Sequence, residues 1–306
     1  MIYQALGKTG VSVSKIGFGC ASLGNEYGDL DLAEGVRAVH VAIEHGINFF
    51  DTSPYYGRTL SETRLGKALK GKRDQVILGT KGGRFDDDGF DFSYDGIINM
   101  CEESLIRLQT DYIDVYQLHD IEFGDKKQII NEAIPALHAL KKQGKVRFVG
   151  VTAFPVDLLA EMVQTQEFDV TLSYAHFTLL NQRLHDVLRP HTQANNVGLI
   201  NGSITSLGLL THKGSQPWLP VSDEFRDVVS QAINYCEAHN INLTRLAVMY
   251  ALKNDQADLT LLGTRTVTEL LNSLAWMKQE IEQEHVSAIL KIFAPVRDQV
   301  PPNKSV

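Results

Sequence analysis

The sequence predicts an α/β fold: a closed (β/α)8 TIM barrel with an N-terminal β-hairpin and extra C-terminal helices. From Ser14 to near Trp276, short β-branched runs alternate with longer stretches of helical period, the pattern of parallel strands joined by helices. The cycle holds eight strand-like runs, the number that closes such a barrel. An open doubly wound sheet would want a Gly-x-Gly-x-x-Gly turn after its first strand, and Gly17-Phe18-Gly19-Cys20-Ala21-Ser22 lacks the third glycine. A length of 306 residues suits one barrel domain over residues 1–306.

The hairpin comes first. Tyr3–Leu6 and Val11–Val13 flank the turn Gly7-Lys8-Thr9-Gly10, and its place ahead of the barrel predicts a plug for the bottom. Strands are then expected at Lys15–Phe18, Phe49–Thr52, Val76–Thr80, Ile113–Leu118, Val146–Val151, Val170–Tyr174, Gly198–Gly202 and Leu259–Gly263. Between them, apolar residues three and four apart predict helices at Leu32–Glu44, Ser61–Leu69, Tyr94–Leu108, Gln128–Lys142, Asp157–Val163, Leu184–Asn195, Phe225–His239 and Leu270–Gln279. Leu243–Leu252 adds a helix before the eighth strand, and Glu282–Phe293 another before a polar tail with Pro301 and Pro302 that is expected to be mobile.

Composition narrows the function. Hydrophobic residues at 43% and charged ones at 22% describe a soluble globular chain. A net charge of −8 opposes a phosphate-backbone binder, which needs a basic face to displace counterions, so nucleic acid is not the expected partner. Cys20, Cys101 and Cys236, odd in number and without a C-x-x-C, suggest reduced thiols. The start Met1-Ile2-Tyr3-Gln4 lacks a signal peptide's basic and apolar segments, and no window approaches a membrane span. A cytoplasmic protein with no membrane partner is expected, its oligomeric state left open.

In this architecture chemistry gathers where strands end. Asp51 closes the Phe49-Phe50 strand, Tyr56 lies in the loop after it, Lys81 follows Val76–Thr80, and His119 follows Ile113–Leu118. These ends belong to neighbouring strands, so the four side chains can converge. A tyrosine is a weak base at neutral pH, but a nearby ammonium stabilises its phenolate, and a carboxylate beside that ammonium keeps it charged. A histidine can orient a substrate oxygen. None of the four donates hydride, which points to a nicotinamide cofactor. His119 and Asp120 could also begin a metal site, but no third ligand stands at another strand end.

The stretch Gly46-Ile47-Asn48-Phe49-Phe50-Asp51-Thr52-Ser53-Pro54-Tyr55-Tyr56-Gly57, with Ser61-Glu62 and Leu65-Gly66, resembles the signature of the aldo-keto reductase superfamily. The resemblance runs over nearly the whole chain and implies a catalytic tetrad of Asp51, Tyr56, Lys81 and His119. Within the superfamily, Gly89-Phe90-Asp91-Phe92-Ser93, His119-Asp120-Ile121-Glu122-Phe123-Gly124 and Ile134-Pro135-Ala136-Leu137 resemble the branch of aldose dehydrogenases. That likeness implies oxidation of an aldose of L-galactose or L-fucose type at C1 to a lactone, with Asp120 as a contact to sugar hydroxyls. Cofactor contacts are implied at Thr152, Ser173, Ser203, Thr205, Leu207, Gly263, Thr264, Arg265 and Glu269. NADP-dependent relatives place a lysine-serine pair and an arginine where this chain has Gly263-Thr264 and Glu269, so NAD is favoured; Arg265 keeps NADP possible. Gly202 and Ala153 depart from the family's usual nicotinamide contacts. The alternatives are a general NAD(P)H-dependent aldehyde or ketone reductase, which the same tetrad serves, and a nucleotide-sensing regulatory subunit. His119 opposes the latter, because those relatives carry asparagine there.

Overall fold

A computed structural model describes residues 1–26, 28–211, 214 and 221–299. The described strands are β1 (Tyr3–Ala5), β2 (Ser12–Ser14), β3 (Ile16–Gly19), β4 (Phe49–Asp51), β5 (Ile77–Gly82), β6 (Ile113–Leu118), β7 (Val146–Thr152), β8 (Val170–Tyr174), β9 (Gly198–Gly202) and β10 (Leu259–Gly263). Strands β3 to β10 form a closed parallel barrel in chain order, with β10 returning to β3. The helices are α1 (Leu32–Glu44), α2 (Leu60–Ala68), α3 (Tyr94–Leu108), α4 (Lys126–Gln128), α5 (Ile134–Lys142), α6 (Val156–Gln164), α7 (Arg189–Asn195), α8 (Asp223–Ala238), α9 (Leu243–Leu252), α10 (Val267–Trp276) and α11 (Gln283–Phe293). Strands β4, β5, β6 and β9 are buried at every position, because helices cover one face and the packed lumen the other.

The antiparallel pair β1–β2 closes one end. Leu6 and Val13 are fully buried and pack with Phe49, Ile77, Val115, Ile200 and Leu259. The hairpin turn is tied to the strand starts: Gly7 N–H donates to Asp258 Oδ2 at 3.1 Å, and Lys8 N–H to the Asn196 carbonyl at 2.8 Å. Asp258 also accepts the Leu199 N–H at 3.0 Å, so one carboxylate joins plug and barrel. The opposite ends of the strands form the mouth.

Several expected boundaries move. Strand β5 runs on to Gly82, so Lys81 lies inside the ladder, paired in register with Gln117. The expected helix Gln128–Lys142 is instead α4, a π-helical turn over Ile129–Ala133 and α5; Leu184–Asn195 is likewise a π-helical turn over Leu184–Leu188 followed by α7. Pro135 and Pro190 are the second residues of α5 and α7. Each lacks the N–H that would bond four residues back, and the preceding turn widens instead. Helix α10 starts three residues earlier than its apolar period suggested, because Thr266 caps it by accepting the Glu269 N–H at 3.1 Å. The tail with Pro301 and Pro302 lies outside the described residues. Cys20, Cys101 and Cys236 are buried free thiols. Among the described residues no helix is long and apolar enough to cross a membrane.

Helix α2 is fastened to the barrel by Glu62, which is fully buried. Its Oε1 accepts the Thr80 hydroxyl at 2.6 Å and its Oε2 accepts Arg107 Nε at 2.6 Å. Glu62→Ala strands both donors, so urea unfolding should show a loss of about 3 kcal/mol. An unchanged midpoint would count against this anchor.

Candidate active site

At the mouth, Lys81 is 1% exposed and Asp51 2%. An ammonium has three N–H groups and no acceptor. Lys81 Nζ donates to Asp51 Oδ2 at 2.5 Å, to the Thr52 carbonyl at 2.8 Å and to the Tyr56 hydroxyl at 3.3 Å. All three donors are thereby used. Gln117 donates its amide N–H to Asp51 Oδ1 at 3.1 Å. Burial pushes the Asp51 carboxyl up, while the Lys81 charge and these hydrogen bonds draw it back. Charge on Lys81 therefore bears on the Tyr56 oxygen, also reaching its ring with Nζ 4.8 Å from the centroid.

Backbone contact fixes where Tyr56 stands. Gly57 holds φ +62°, and a Cβ there would lie 2.1 Å from the Gly24 carbonyl oxygen; a Cβ on Gly24 would lie 2.5 Å from Tyr56 carbon. Only hydrogens fit between the loop after β3 and the Tyr56–Gly57 turn. Glu26 accepts the Gly57 N–H at 2.7 Å and secures the same turn. Tyr55 faces elsewhere: its hydroxyl donates to Asp87 at 3.1 Å, and burial pushes its phenol up to about 12.

His119, 4% exposed, completes the group. Its Nδ1 lies 3.0 Å from Ser53 Oγ, and its ring meets the edges of Tyr55 and Tyr56 at centroid distances of 5.8 and 6.0 Å. Burial pushes its pKa down to about 3, with the Lys81 and Arg84 charges adding to the fall and Asp120 opposing it. The imidazole is neutral at physiological pH. Asp120 follows in left-handed backbone, φ 54°. Its Oδ2 accepts Arg84 Nη1 at 2.7 Å, and its Oδ1 accepts the hydroxyls of Tyr174 at 3.1 Å and Thr152 at 3.4 Å. Both oxygens accept from protein donors, and a carboxylate keeps further lone-pair capacity for the expected contact to sugar hydroxyls. Arg84 lies over the Tyr55 ring at 4.0 Å, with Phe90 and Phe123 at 5.3 and 5.2 Å. Glu122 accepts the Phe154 N–H at 2.9 Å, and burial with Asp120 alongside lifts it to about 7.

Sequence reasoning did not single out Ser53, Gln117, Arg84, Glu122 or Tyr174 for the site. Gln117 carried a signal: it is a polar residue on β6 two positions before His119, which directly follows the strand, and period-two alternation puts it on the same face.

The expected cofactor residues ring the same mouth. Thr152 ends β7, its Oγ1 accepting the Asp120 N–H at 3.1 Å; Ser173 on β8 lies 3.1 Å from His176 Nδ1. After β9, Ser203, Ser206 and Leu207 hold φ of 53°, 50° and 56°, non-glycine strain of the kind that gathers at ligand sites. Thr205 lies among them. Gly263 ends β10 with nothing within 4 Å of a Cβ position, so the strand end opens to space beside Thr264, Arg265 and Glu269. Glu269 Oε2 accepts the Arg265 N–H at 2.8 Å and its Oε1 meets Arg265 Nη2 at 3.2 Å. A half-exposed carboxylate there suits ribose hydroxyls, and the open strand end with the strained loop fits a dinucleotide. Among the described residues no cluster of three or more His, Cys, Asp or Glu is placed to hold a metal.

The Gly24–Gly57 contact yields a prediction. Gly57→Ala should displace Tyr56 and cut turnover by about 10²-fold, the scale of an ångström-sized misplacement. Steady-state kinetics alongside a melting curve would check it; full turnover in a folded Ala variant would refute it.

Residues 15–294 match the aldo/keto reductase family. The chain is 40% identical over 305 residues to L-galactose dehydrogenase of Arabidopsis thaliana, covering 96% of this chain and 95% of that one. It is 34% identical over 256 residues to D-arabinose 1-dehydrogenase of Saccharomyces cerevisiae, covering 79% and 76%. An aldo-keto reductase from Bacillus halodurans, solved in its holo form, superposes with a TM-score of 0.80 at 27% identity over 100% of both chains. A closed barrel, a tyrosine, lysine, aspartate and histidine gathered at its mouth, and this match place the chain in the aldo/keto reductase family, as an NAD(P)-dependent oxidoreductase.

Proposed function

We propose that this enzyme oxidises an aldose of the L-galactose or L-fucose type at C1 to a lactone, with NAD favoured over NADP. The observation that carries the reading is the Lys81–Tyr56 contact at 3.3 Å beside a neutral, buried His119, in a chain 40% identical over nearly its full length to an L-galactose dehydrogenase. Bound nicotinamide supplies the hydride acceptor. The protein supplies proton chemistry: Tyr56 takes the proton of the C1 hydroxyl, because the adjacent Lys81 charge favours its phenolate. Asp51, Gln117 and the Thr52 carbonyl hold Lys81 against Tyr56. His119 orients the reacting oxygen. Asp120 holds Arg84 at the polar wall and, with the lone pairs these bonds leave, contacts the sugar hydroxyls.

Glu269 supports the preference for NAD. Its carboxylate repels a 2′-phosphate and holds Arg265, the cation that could attract one. Buried free cysteines support a reducing, cytoplasmic setting.

Incubating the enzyme with L-galactose, L-fucose or D-arabinose and NAD or NADP, and separately with a small aldehyde and NADH or NADPH, tests the whole reading through the appearance or loss of reduced-cofactor absorbance. L-Galactose or L-fucose with NAD should respond most; brisk aldehyde reduction without aldose oxidation would leave a general reductase. Tyr56→Phe should lower turnover by about 10³-fold with cofactor affinity intact. Tyr55→Phe should keep most of it, and the reverse ranking would overturn the assignment. In cofactor titrations NAD should bind more tightly than NADP, and Glu269→Gln should narrow the gap by removing the repulsion and releasing Arg265. Tighter NADP binding by the wild type would contradict the cofactor reading.

A further inference from the structure

Ser53 is fully buried, and its Oγ has two neighbours in hydrogen-bond range. One is the Tyr55 N–H at 3.1 Å, which can only donate. The other is His119 Nδ1 at 3.0 Å, whose role depends on where the imidazole carries its hydrogen. If Nδ1 bore it, Ser53 Oγ would accept twice and its own hydroxyl hydrogen would be left without an acceptor in a buried site. The bare Nε2 lone pair would also face Asp120 Oδ2 at 3.7 Å, acceptor against acceptor. With the hydrogen on Nε2, both conflicts vanish: the hydroxyl donates to Nδ1, and Nε2–H turns toward a carboxylate.

We propose that Ser53 is a positioning residue that donates to His119 Nδ1 and thereby fixes the neutral imidazole as the Nε2–H tautomer. The inference rests on the reading of His119 given above, and it supplies what that role requires. A histidine that orients a substrate oxygen must present a donor, and the other tautomer presents a lone pair that repels it. His119 is kept from becoming a donor at both nitrogens chiefly by its burial, with the Lys81 and Arg84 charges adding to the effect, so the tautomer decides. Ser53 touches neither substrate nor cofactor in this role. It acts through the ring.

Long-range ¹H–¹⁵N correlation spectra of full-length, histidine-labelled enzyme at pH 7 report the tautomer directly, with the His119 signals identified by their absence in His119→Gln. The wild type should show Nε2–H. Ser53→Ala should shift His119 toward Nδ1–H and lower kcat for aldose oxidation by about 10²-fold, leaving NAD affinity unchanged. Ser53→Thr, which keeps the hydroxyl, should retain both the tautomer and the rate. A wild-type spectrum of the Nδ1–H form, or a Ser53→Ala variant with unchanged tautomer and kcat, would overturn the proposal. If Ser53→Ala does not fold, the wild-type spectrum still decides. The spectrum needs no substrate, so absence of aldose oxidation would refute the proposed reaction while leaving the tautomer assignment to its own test.

Discussion

An ammonium group at 1% exposure persists only when its hydrogens all find acceptors, and Lys81 has three arranged around it: a carboxylate, a backbone carbonyl and a phenol oxygen. Removing one partner from such a buried pair costs about 3–5 kcal/mol, so the cluster constrains its neighbours as much as they constrain it. Asp51 must end β4, Lys81 must lie within β5 and Gln117 opposite it on β6 for the contacts to form. Barrel closure supplies that registry. The Tyr56 loop then has one place to go, since its hydroxyl is the third acceptor.

A second buried ion pair, Arg84 with Asp120, borders His119, whose Nε2 lies 3.7 Å from Asp120 Oδ2. Burial is the main force keeping the imidazole unprotonated, with the Lys81 and Arg84 charges adding to it and Asp120 opposing it. This arrangement divides the labour of the site. Charge is concentrated against Tyr56, and His119 is left as a neutral ring whose hydrogen placement, not its charge, is what the surroundings control.

Much of this was legible in the sequence where one signal sufficed. Ile113–Leu118, Val170–Tyr174, Gly198–Gly202 and Leu259–Gly263 coincide with their strands, because each is a short run rich in apolar and β-branched residues between helical segments. Asp51, Lys81 and His119 stood out as ionisable groups where apolar runs end, and the structure brings them together with Tyr56. Partners defined by distance in space were not legible. Ser53 and His119 are 66 residues apart, and nothing near a serine in a turn says which ring will meet it. Asp120 was legible as a charged residue beside the site but not as one end of an ion pair, since Arg84 precedes it by 36 residues. The helix breaks at Pro135 and Pro190 were missed because apolar period persists through a π-helical turn while hydrogen bonding changes.

The hairpin at the far end has a kinetic consequence. With Leu6 and Val13 packed into the base of the lumen, the route to the reacting groups runs through the mouth, and the cofactor and second substrate of an aldo-keto reductase share one doorway. Whichever lies deeper must enter first and leave last. A barrel stoppered at one end thus imposes a queue, in which release of the deeper ligand can set the pace as well as the chemistry.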